Sequence, residues 1–154
     1  MGVEVFFRNM EMSDLDQVCA IEQAVFSDPW SREGFAESLG NGQAILLTAV
    51  SEAQKVAGYC CLYCVLDEGE IVNVAVSETF RKHGIGEQMV RHLMQAGAQR
   101  GAKNFYLEVR AGNQPAQRLY EKLGFKTVGI RKNFYEKPVE NALVMMCALP
   151  DITG

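Results

Sequence analysis

A short basic turn with two glycines contains the residue types that most directly suggest ligand binding. This glycine turn, Arg81-Lys82-His83-Gly84-Ile85-Gly86, leads into apolar residues at helical spacing, namely Ile85, Met89, Leu93 and Ala96. A helix start presents unpaired backbone N–H groups and the positive end of the helix dipole, and glycines leave room for an anion to approach them. The glycine turn is therefore a candidate phosphate cradle, and an ordinary strand-to-helix turn is the alternative.

Two common phosphate-binding motifs do not fit the glycine turn. A Walker loop requires Lys and Ser or Thr after its second glycine, but Gly86 is followed by Glu87-Gln88. A dinucleotide-binding fingerprint requires a third small residue, and Met89 occupies that position. The sequence thus argues against both of these nucleotide-binding classes.

Two side chains that can exchange protons lie downstream of the glycine turn. Glu108 is an acid within 104–110, a strand pattern suited to burial, and burial would raise its pKa toward the range of a general base. An ion pair with Arg110, on the same strand face, is the alternative for Glu108. Tyr120 shares the apolar face of a helical pattern with Ala116, so the residues alone favour a core tyrosine.

The elements that must position these residues follow from hydrophobic periodicity and from turn residues. Helices are predicted from Ser13 until Asp28-Pro29-Trp30, over 31–39, from the glycine turn to Gly101, and over 113–123. Strands are predicted at 3–8, 43–51, 55–65, 71–76, 104–110, 125–131 and 142–148, with a turn at 67–70 and a longer loop containing 133–138. The strand, helix, strand order over 71–110 has no hairpin turn, which indicates a right-handed crossover and parallel pairing. The strand at 71–76 is expected to be covered on both faces because its residues are almost all apolar.

Bulk composition limits the kind of protein. The 154 residues, 48% hydrophobic, are enough for one domain with a substantial core, so we expect a single domain over 1–154. The net charge of −4 argues against direct nucleic-acid binding. The sequence has no apolar run near the roughly 20 residues that span a bilayer and no basic secretory start, so we expect a cytoplasmic protein without membrane contact. Five cysteines, an odd number, favour reduced thiols.

Several motifs resemble one family. The pattern Arg81-x-x-Gly84-x-Gly86, preceded by Val74-Ala75-Val76, resembles the acetyl-CoA pyrophosphate signature of the GCN5-related N-acetyltransferases (GNAT). The string LEVRAGNQPAQRLYEKLGF at 107–125 and the segment RKNFY at 131–135 resemble the ribosomal-protein-alanine N-acetyltransferase subfamily. The resemblance implies an α/β, single-domain GNAT acyl-CoA N-acyltransferase fold, with a mixed sheet of about seven strands flanked by about four helices.

The resemblance also implies roles for individual residues. Glu108 corresponds to a general base and Tyr120 to the acid that protonates the CoA sulfur. The pyrophosphate would lie at Arg81, Lys82, Gly84, Ile85 and Gly86, and the pantetheine arm along the backbone of Val74 and Val76 and beside Asn113. Asn113 is also suited to capping the helix that follows it. Glu70 and Tyr135 are candidate contacts for the acceptor, with Glu70 a second candidate for the base. Direct acetyl transfer from acetyl-CoA requires no metal.

The acceptor implied by the resemblance is the α-amine of the N-terminal alanine of ribosomal protein S18. An α-amine has a reference pKa of about 8 against about 10.4 for lysine, so deprotonation at neutral pH costs lysine roughly 3 kcal/mol more. Ribosomal tails are basic, and acids at Asp67, Glu68, Glu70 and Glu136 would attract one. A lysine, polyamine or other small-amine acetyltransferase and a non-catalytic acyl-CoA-binding regulator are the alternatives. We expect a monomer.

Overall fold

Seven strands form one mixed sheet with four α-helices packed on it. The computed structural model describes residues 4–149. The strands, in chain order, are β1 (Val5–Asn9), β2 (Ala44–Ser51), β3 (Val56–Val65), β4 (Glu68–Val76), β5 (Asn104–Arg110), β6 (Lys126–Glu136) and β7 (Val139–Ala148). The α-helices are α1 (Leu15–Val25), α2 (Arg32–Leu39), α3 (Ile85–Gln99) and α4 (Gln114–Lys122). The strand order is β1-β2-β3-β4-β5-β7-β6, so the predicted α/β architecture is confirmed.

The sheet separates two apolar clusters. Helices α3 and α4 cover one face, where Met89, Leu93 and Tyr120 pack with Phe105 and Leu107. Helices α1 and α2 cover the other face, where a second cluster includes Val18, Phe35, Tyr59 and Cys61. Each face of the sheet therefore has its own pair of helices, as the apolar strand patterns require.

Strands β4 and β5 are the only parallel pair in the sheet order over 4–149, and they pair over a short length. Glu68–Ile71 lies beside Asn104–Leu107, and no β5 residue pairs with the rest of β4. Val72 is an extra residue opposite β3, where the register passes from Leu62↔Ile71 to Cys61↔Asn73. Such a β-bulge bends its strand. The two strands diverge beyond this point and leave an opening in the middle of the sheet.

This opening corrects one prediction about the central strand. The segment 71–76 was expected to be covered on both faces, but Val72 is 36% exposed. The bulge places Val72 at the opening rather than under a helix. The predicted parallel pairing of β4 with β5 is confirmed.

Two predicted connections are shorter in the structure. The predicted turn at 67–70 is wrong, because the turn occupies Leu66 and Asp67 and β4 already begins at Glu68. Gly69 lies inside the strand, where a Cβ would be 2.9 Å from the Phe105 ring, so this glycine allows close packing rather than a turn. The loop predicted to contain 133–138 is also mostly strand, since β6 continues to Glu136. The residues of this edge strand are mostly polar and exposed, so the segment lacks the apolar alternation that predicts a strand.

Helix boundaries mostly follow the predicted signals. Ser31 caps α2 by accepting a hydrogen bond from the Gly34 N–H at 3.0 Å, and Gly101 follows α3 with φ +104. Helix α1 begins at Leu15, two residues after the predicted start at Ser13, and the Asp14 carboxylate accepts the Glu11 N–H at 2.8 Å in the short 3-10 helix that precedes it. The first predicted strand begins at Val5, and position 3 lies outside the described residues.

Within 4–149, no helix combines the length and apolar character needed to cross a bilayer. All five cysteines are free thiols, as predicted.

Candidate active site

The opening between β4 and β5 contains a cavity of about 400 Å³. Glu108 on β5 and Tyr120 on α4 both line it, together with Val72 and Val74 on β4. Asn113 and Tyr135 are also part of the wall. We call this space the central cavity. It brings together residues that are far apart in the sequence but were predicted to share one site.

Glu108 faces the α1 and α2 side of the sheet. Its neighbours Leu107 and Val109 are buried in the cluster under α3 and α4, and side chains alternate along a strand, so Glu108 lies on the opposite face. Burial is the largest influence on its carboxyl and raises the pKa; the nearby Arg131 lowers it and Glu70 raises it further, with a net upward shift. A carboxylate with a raised pKa is a better proton acceptor.

The ion-pair partner of Glu108 differs from the predicted one. Glu108 Oε2 lies 3.2 Å from Nε of Arg131, and this oxygen accepts no hydrogen bond from residues 4–149. Arg110 instead pairs with Glu140 at 3.1 Å. The predicted alternative of a Glu108–Arg110 pair is therefore wrong, because β7 places Glu140 beside the end of β5.

Tyr120 is both a core residue and part of the central-cavity wall. Its ring packs edge-on against Phe125 with centroids 5.8 Å apart, and its side chain is buried. Burial raises the pKa of the Tyr120 phenol above its ordinary value, and the nearby Cys60 and Tyr135 raise it further. The phenol therefore remains protonated at neutral pH and retains a proton that it can donate.

A second cavity, of about 590 Å³, lies at the start of α3. Six predicted cofactor residues line it: Val76, Arg81, Lys82, Gly84, Ile85 and Gly86. Gly84 adopts φ +74, and no atom lies within 4 Å of the position that a Cβ would occupy there. No side chain within 4–149 caps α3, so its first-turn N–H groups are free to bind an anion. These features fit the pyrophosphate of acetyl-CoA, so we call this space the phosphate cradle.

Arg81 is held in place at the phosphate cradle. Its Nε donates a hydrogen bond to the Val76 carbonyl at 3.1 Å, which fixes the guanidinium at the end of β4. Lys82 adopts φ 68 in the same turn. Arg81 and Lys82 therefore supply positive charge beside the free N–H groups of α3.

Helix α4 contributes cradle residues that the sequence analysis did not single out. Pro115, Arg118, Leu119 and Lys122 line the same cavity, and Lys122 Nζ is 3.5 Å from Glu87 Oε1 on α3. Arg118 and Lys122 are four residues apart and so lie on one side of α4. This four-residue spacing of basic residues is visible in the sequence and could have indicated an anion-binding face. Solvent-exposed helix faces show the same spacing equally often.

Asn113 has the predicted capping role at α4. Its Oδ1 accepts the Ala116 N–H at 3.2 Å. The side chain also borders the central cavity, and its amide nitrogen donates no hydrogen bond to residues 4–149. Capping and contact with a bound pantetheine arm are thus compatible, because they use different atoms.

A third cavity, of about 580 Å³, lies on the α1 and α2 side of the sheet next to Glu108. One wall is the α1–α2 connection, including Phe26, Asp28 and Trp30, and the other is the end of β6 with Lys137. Both predicted acceptor contacts, Glu70 and Tyr135, line this space. We call it the acceptor groove.

A buried acid positions one wall of the acceptor groove, and the sequence analysis did not identify it. Glu22 on α1 is 1% exposed and accepts hydrogen bonds from the Tyr59 hydroxyl at 2.5 Å and from the Trp30 N–H at 2.9 Å. Asn73 Nδ2 lies 3.1 Å from both carboxylate oxygens. Trp30 also packs against Phe35, so it both contributes to the core and lines the groove. An acid on the apolar face of α1 was the signal for this network.

Comparison with known proteins identifies the family. The model of the acetyltransferase (GNAT) family matches residues 15–125. The chain belongs to the GNAT family. This GNAT protein is 35% identical over 144 residues to the [ribosomal protein bS18]-alanine N-acetyltransferase of Escherichia coli K12, covering 92% of this chain and 95% of the relative. The protein of that name in Haemophilus influenzae is 36% identical over 144 residues, covering 91% and 96%.

The structural comparison agrees with the sequence comparison. The crystal structure of the ribosomal-protein-S18-alanine N-acetyltransferase from Escherichia coli matches this GNAT protein with a TM-score of 0.87 at 30% identity, covering 98% of this chain and 97% of that one. The predicted resemblance and fold are thereby confirmed. Within 4–149, no group of three or more His, Cys, Asp or Glu side chains is arranged to hold a metal ion.

Proposed function

We propose that this GNAT protein transfers the acetyl group of acetyl-CoA to the N-terminal alanine of ribosomal protein bS18. The observation that carries the proposal is the central cavity, which is lined by Glu108 and by Tyr120 and lies where the sheet is open. The choice of acceptor rests on two relatives, each at least 35% identical over nearly all of the chain, whose names specify bS18 alanine.

Acetyl-CoA would bind from the α3 and α4 side. Its pyrophosphate fits the phosphate cradle, with the free N–H groups of α3 and the charges of Arg81 and Lys82 as ligands. Its pantetheine arm would follow the backbone of Val74 and Val76, which has no β5 partner, toward the central cavity. Asn113 would contact the arm through its amide nitrogen. The thioester would then lie between Glu108 and Tyr120.

The chemistry is a direct acyl transfer between two bound substrates. Glu108 accepts a proton from the acceptor's ammonium group, and the neutral amine attacks the thioester carbonyl. The new C–N bond forms, the C–S bond breaks, and Tyr120 donates its proton to the departing thiolate. The second amine proton leaves as the amide forms and restores the Tyr120 phenol, and Glu108 releases the first proton to water, so the net products are the amide, CoA thiol and one proton. The upward pKa shift of Glu108 supports its assignment as the base, whereas the assignment of Tyr120 as the acid rests on its place in the wall of the central cavity.

The acceptor groove favours a basic peptide with a free α-amine. Glu70, Asp28 and Glu136 contribute acidic side chains to its walls. Asp67, in the turn before β4, and Glu68, the first residue of β4, are close to Glu70 in the sequence and would add to the attraction of a basic tail. Tyr135 provides an aromatic contact beside Glu108. We propose that the enzyme acts as a monomer in the cytoplasm, where bS18 is made.

Thiol release from acetyl-CoA tests the proposal. Three acceptors are compared: an Ala-starting bS18 peptide, the same peptide with a blocked N-terminus, and spermidine. Release with the free peptide alone supports the proposal. Release with the blocked peptide or with spermidine would instead indicate a lysine or small-amine acetyltransferase. Tight acetyl-CoA binding without release from any acceptor would indicate a regulator.

A further inference from the structure

Arg110 lies between the two walls of the acceptor groove. It ends β5, directly beyond Glu108 and Val109, and it lines both the groove and the central cavity. One wall is the connection between α1 and α2, which contains Ser27. The other is the turn between β6 and β7, formed by Lys137 and Pro138.

The Arg110 guanidinium makes hydrogen bonds to both walls. Its Nη2 donates to the Ser27 hydroxyl at 3.1 Å and to the Lys137 carbonyl at 3.3 Å. Its Nη1 donates to the Pro138 carbonyl at 3.1 Å and to Glu140 Oε1 at 3.1 Å. All four hydrogens on the two terminal nitrogens are therefore used.

Two further contacts hold the guanidinium in this position. Its central carbon lies 4.2 Å from the centroid of the Tyr135 ring, within the range of a cation–π contact. Glu140 is fixed from the other side, because its Oε2 accepts the Gly112 N–H at 2.6 Å. The Arg110 side chain is only 26% exposed, so its hydrogen bonds are partly shielded from water.

We propose that Arg110 is a positioning residue that fixes the separation of the two walls and thereby sets the affinity for peptide acceptors. Ser27 belongs to one wall, and Lys137, Pro138 and Tyr135 belong to the other, so Arg110 connects the two walls directly. A preorganised groove binds a peptide without first ordering its own walls. This inference rests on the proposed function, since it assigns the groove to a peptide acceptor.

The planar fork of arginine is what this arrangement requires. A lysine keeps the positive charge but presents its three donors from a single nitrogen, so it cannot reach Ser27 and Glu140 together. Arg110→Lys therefore separates geometry from charge. Ser27→Ala removes only the bond to the α1–α2 wall, at an exposed position.

The test measures KM and kcat for an Ala-starting bS18 peptide and for alaninamide, together with KM for acetyl-CoA. Alaninamide ends after its first residue and has little contact with the walls. Arg110→Lys is expected to raise the peptide KM about tenfold and Ser27→Ala about threefold. Both variants should leave kcat/KM for alaninamide and KM for acetyl-CoA within about twofold of the wild type. The control is Arg100→Lys, which alters another arginine that bonds a distant carbonyl, that of Gly42, away from the groove.

Two outcomes contradict the inference. Peptide KM values within twofold of the wild type in both variants would show that the wall contacts do not affect peptide binding. Equal losses with peptide and alaninamide would show that Arg110 acts on the reaction centre instead. If Arg110→Lys does not fold, Ser27→Ala decides alone. Failure of the wild type to acetylate any peptide would overturn the proposed function itself, which distinguishes the two failures.

Discussion

Removing the Arg131 charge tests whether Glu108 is the base. Arg131 Nε lies 3.2 Å from Glu108 Oε2, and its charge lowers the pKa of that carboxyl against the upward effect of burial. Arg131→Gln should therefore raise the pKa of Glu108 and leave less carboxylate at acidic pH. At 3.2 Å the Coulomb energy is about 1.3 kcal/mol in a water-like dielectric. Because the Arg131 side chain is 61% exposed, we reduce this to about 1 kcal/mol or less.

The assay is kcat/KM for the Ala-starting peptide from pH 5 to pH 9, expressed as the ratio of variant to wild type. The titration of the acceptor amine cancels in this ratio. We expect a ratio near one at high pH that falls about fivefold at low pH, the equivalent of about 1 kcal/mol. A ratio that is flat, or that rises at low pH, would refute the assignment of Glu108 as the titrating base.

Two variants complete this experiment. Lys132→Gln removes a neighbouring exposed charge that makes no ion pair within 4–149, and its ratio should be flat. Glu108→Gln should lower kcat by about 10²–10⁴-fold, as expected when a general base is lost. Glu108→Gln activity within tenfold of the wild type would shift the role of base to Glu70.

Three further variants test other parts of the structure. Gly84→Ala places a Cβ in the phosphate cradle at φ +74, which costs about 1 kcal/mol of backbone strain; steady-state kinetics should show a raised KM for acetyl-CoA. Tyr120→Phe keeps the packing on Phe125 but removes the proton, so kcat should fall about 10²-fold with KM for acetyl-CoA unchanged. Asp14→Ala removes two hydrogen bonds from Arg8, at 2.8 and 2.9 Å, and should lower the free energy of unfolding by about 2 kcal/mol in denaturant titrations. Because the Arg8 hydrogen bond lowers the pKa of Asp14, this stabilisation is present above the unfolded pKa and is lost as the pH falls through the folded one.

The sequence predicted the parts of the site that depend on local patterns. The glycine turn and the helix that follows it are contiguous, so the phosphate cradle was visible from residue types at fixed spacing. Strand β5 alternates buried and partly buried residues, which placed Glu108 on the correct face. Apolar periodicity and helix caps depend on interactions between residues close together in the sequence, and these interactions are present in the folded structure.

Contacts between distant segments could not be predicted in the same way. Arg110 is adjacent to Glu108 in the predicted strand face, yet it pairs with Glu140, thirty residues further along, because β7 lies beside β5. The partner of Glu108 is likewise supplied by β6, through Arg131. Because the segment 133–138 is polar, the sequence did not predict that β6 and β7 form a hairpin. Without that hairpin, the positions of Arg131 and Glu140 cannot be predicted. The partner of a charged side chain on a strand depends on which strands lie beside it. The periodicity of a single strand does not reveal this strand order.

The short parallel contact between β4 and β5 has a consequence for how products leave. Glu108 and the acceptor groove lie on one face of the sheet, while the phosphate cradle lies on the other, and the central cavity shares Ala116 with the cradle and Glu108 with the groove. Under the proposed assignment of these sites, CoA would depart without displacing the acetylated chain, and the chain would depart without displacing CoA. CoA should then be a competitive inhibitor with respect to acetyl-CoA but not with respect to the peptide.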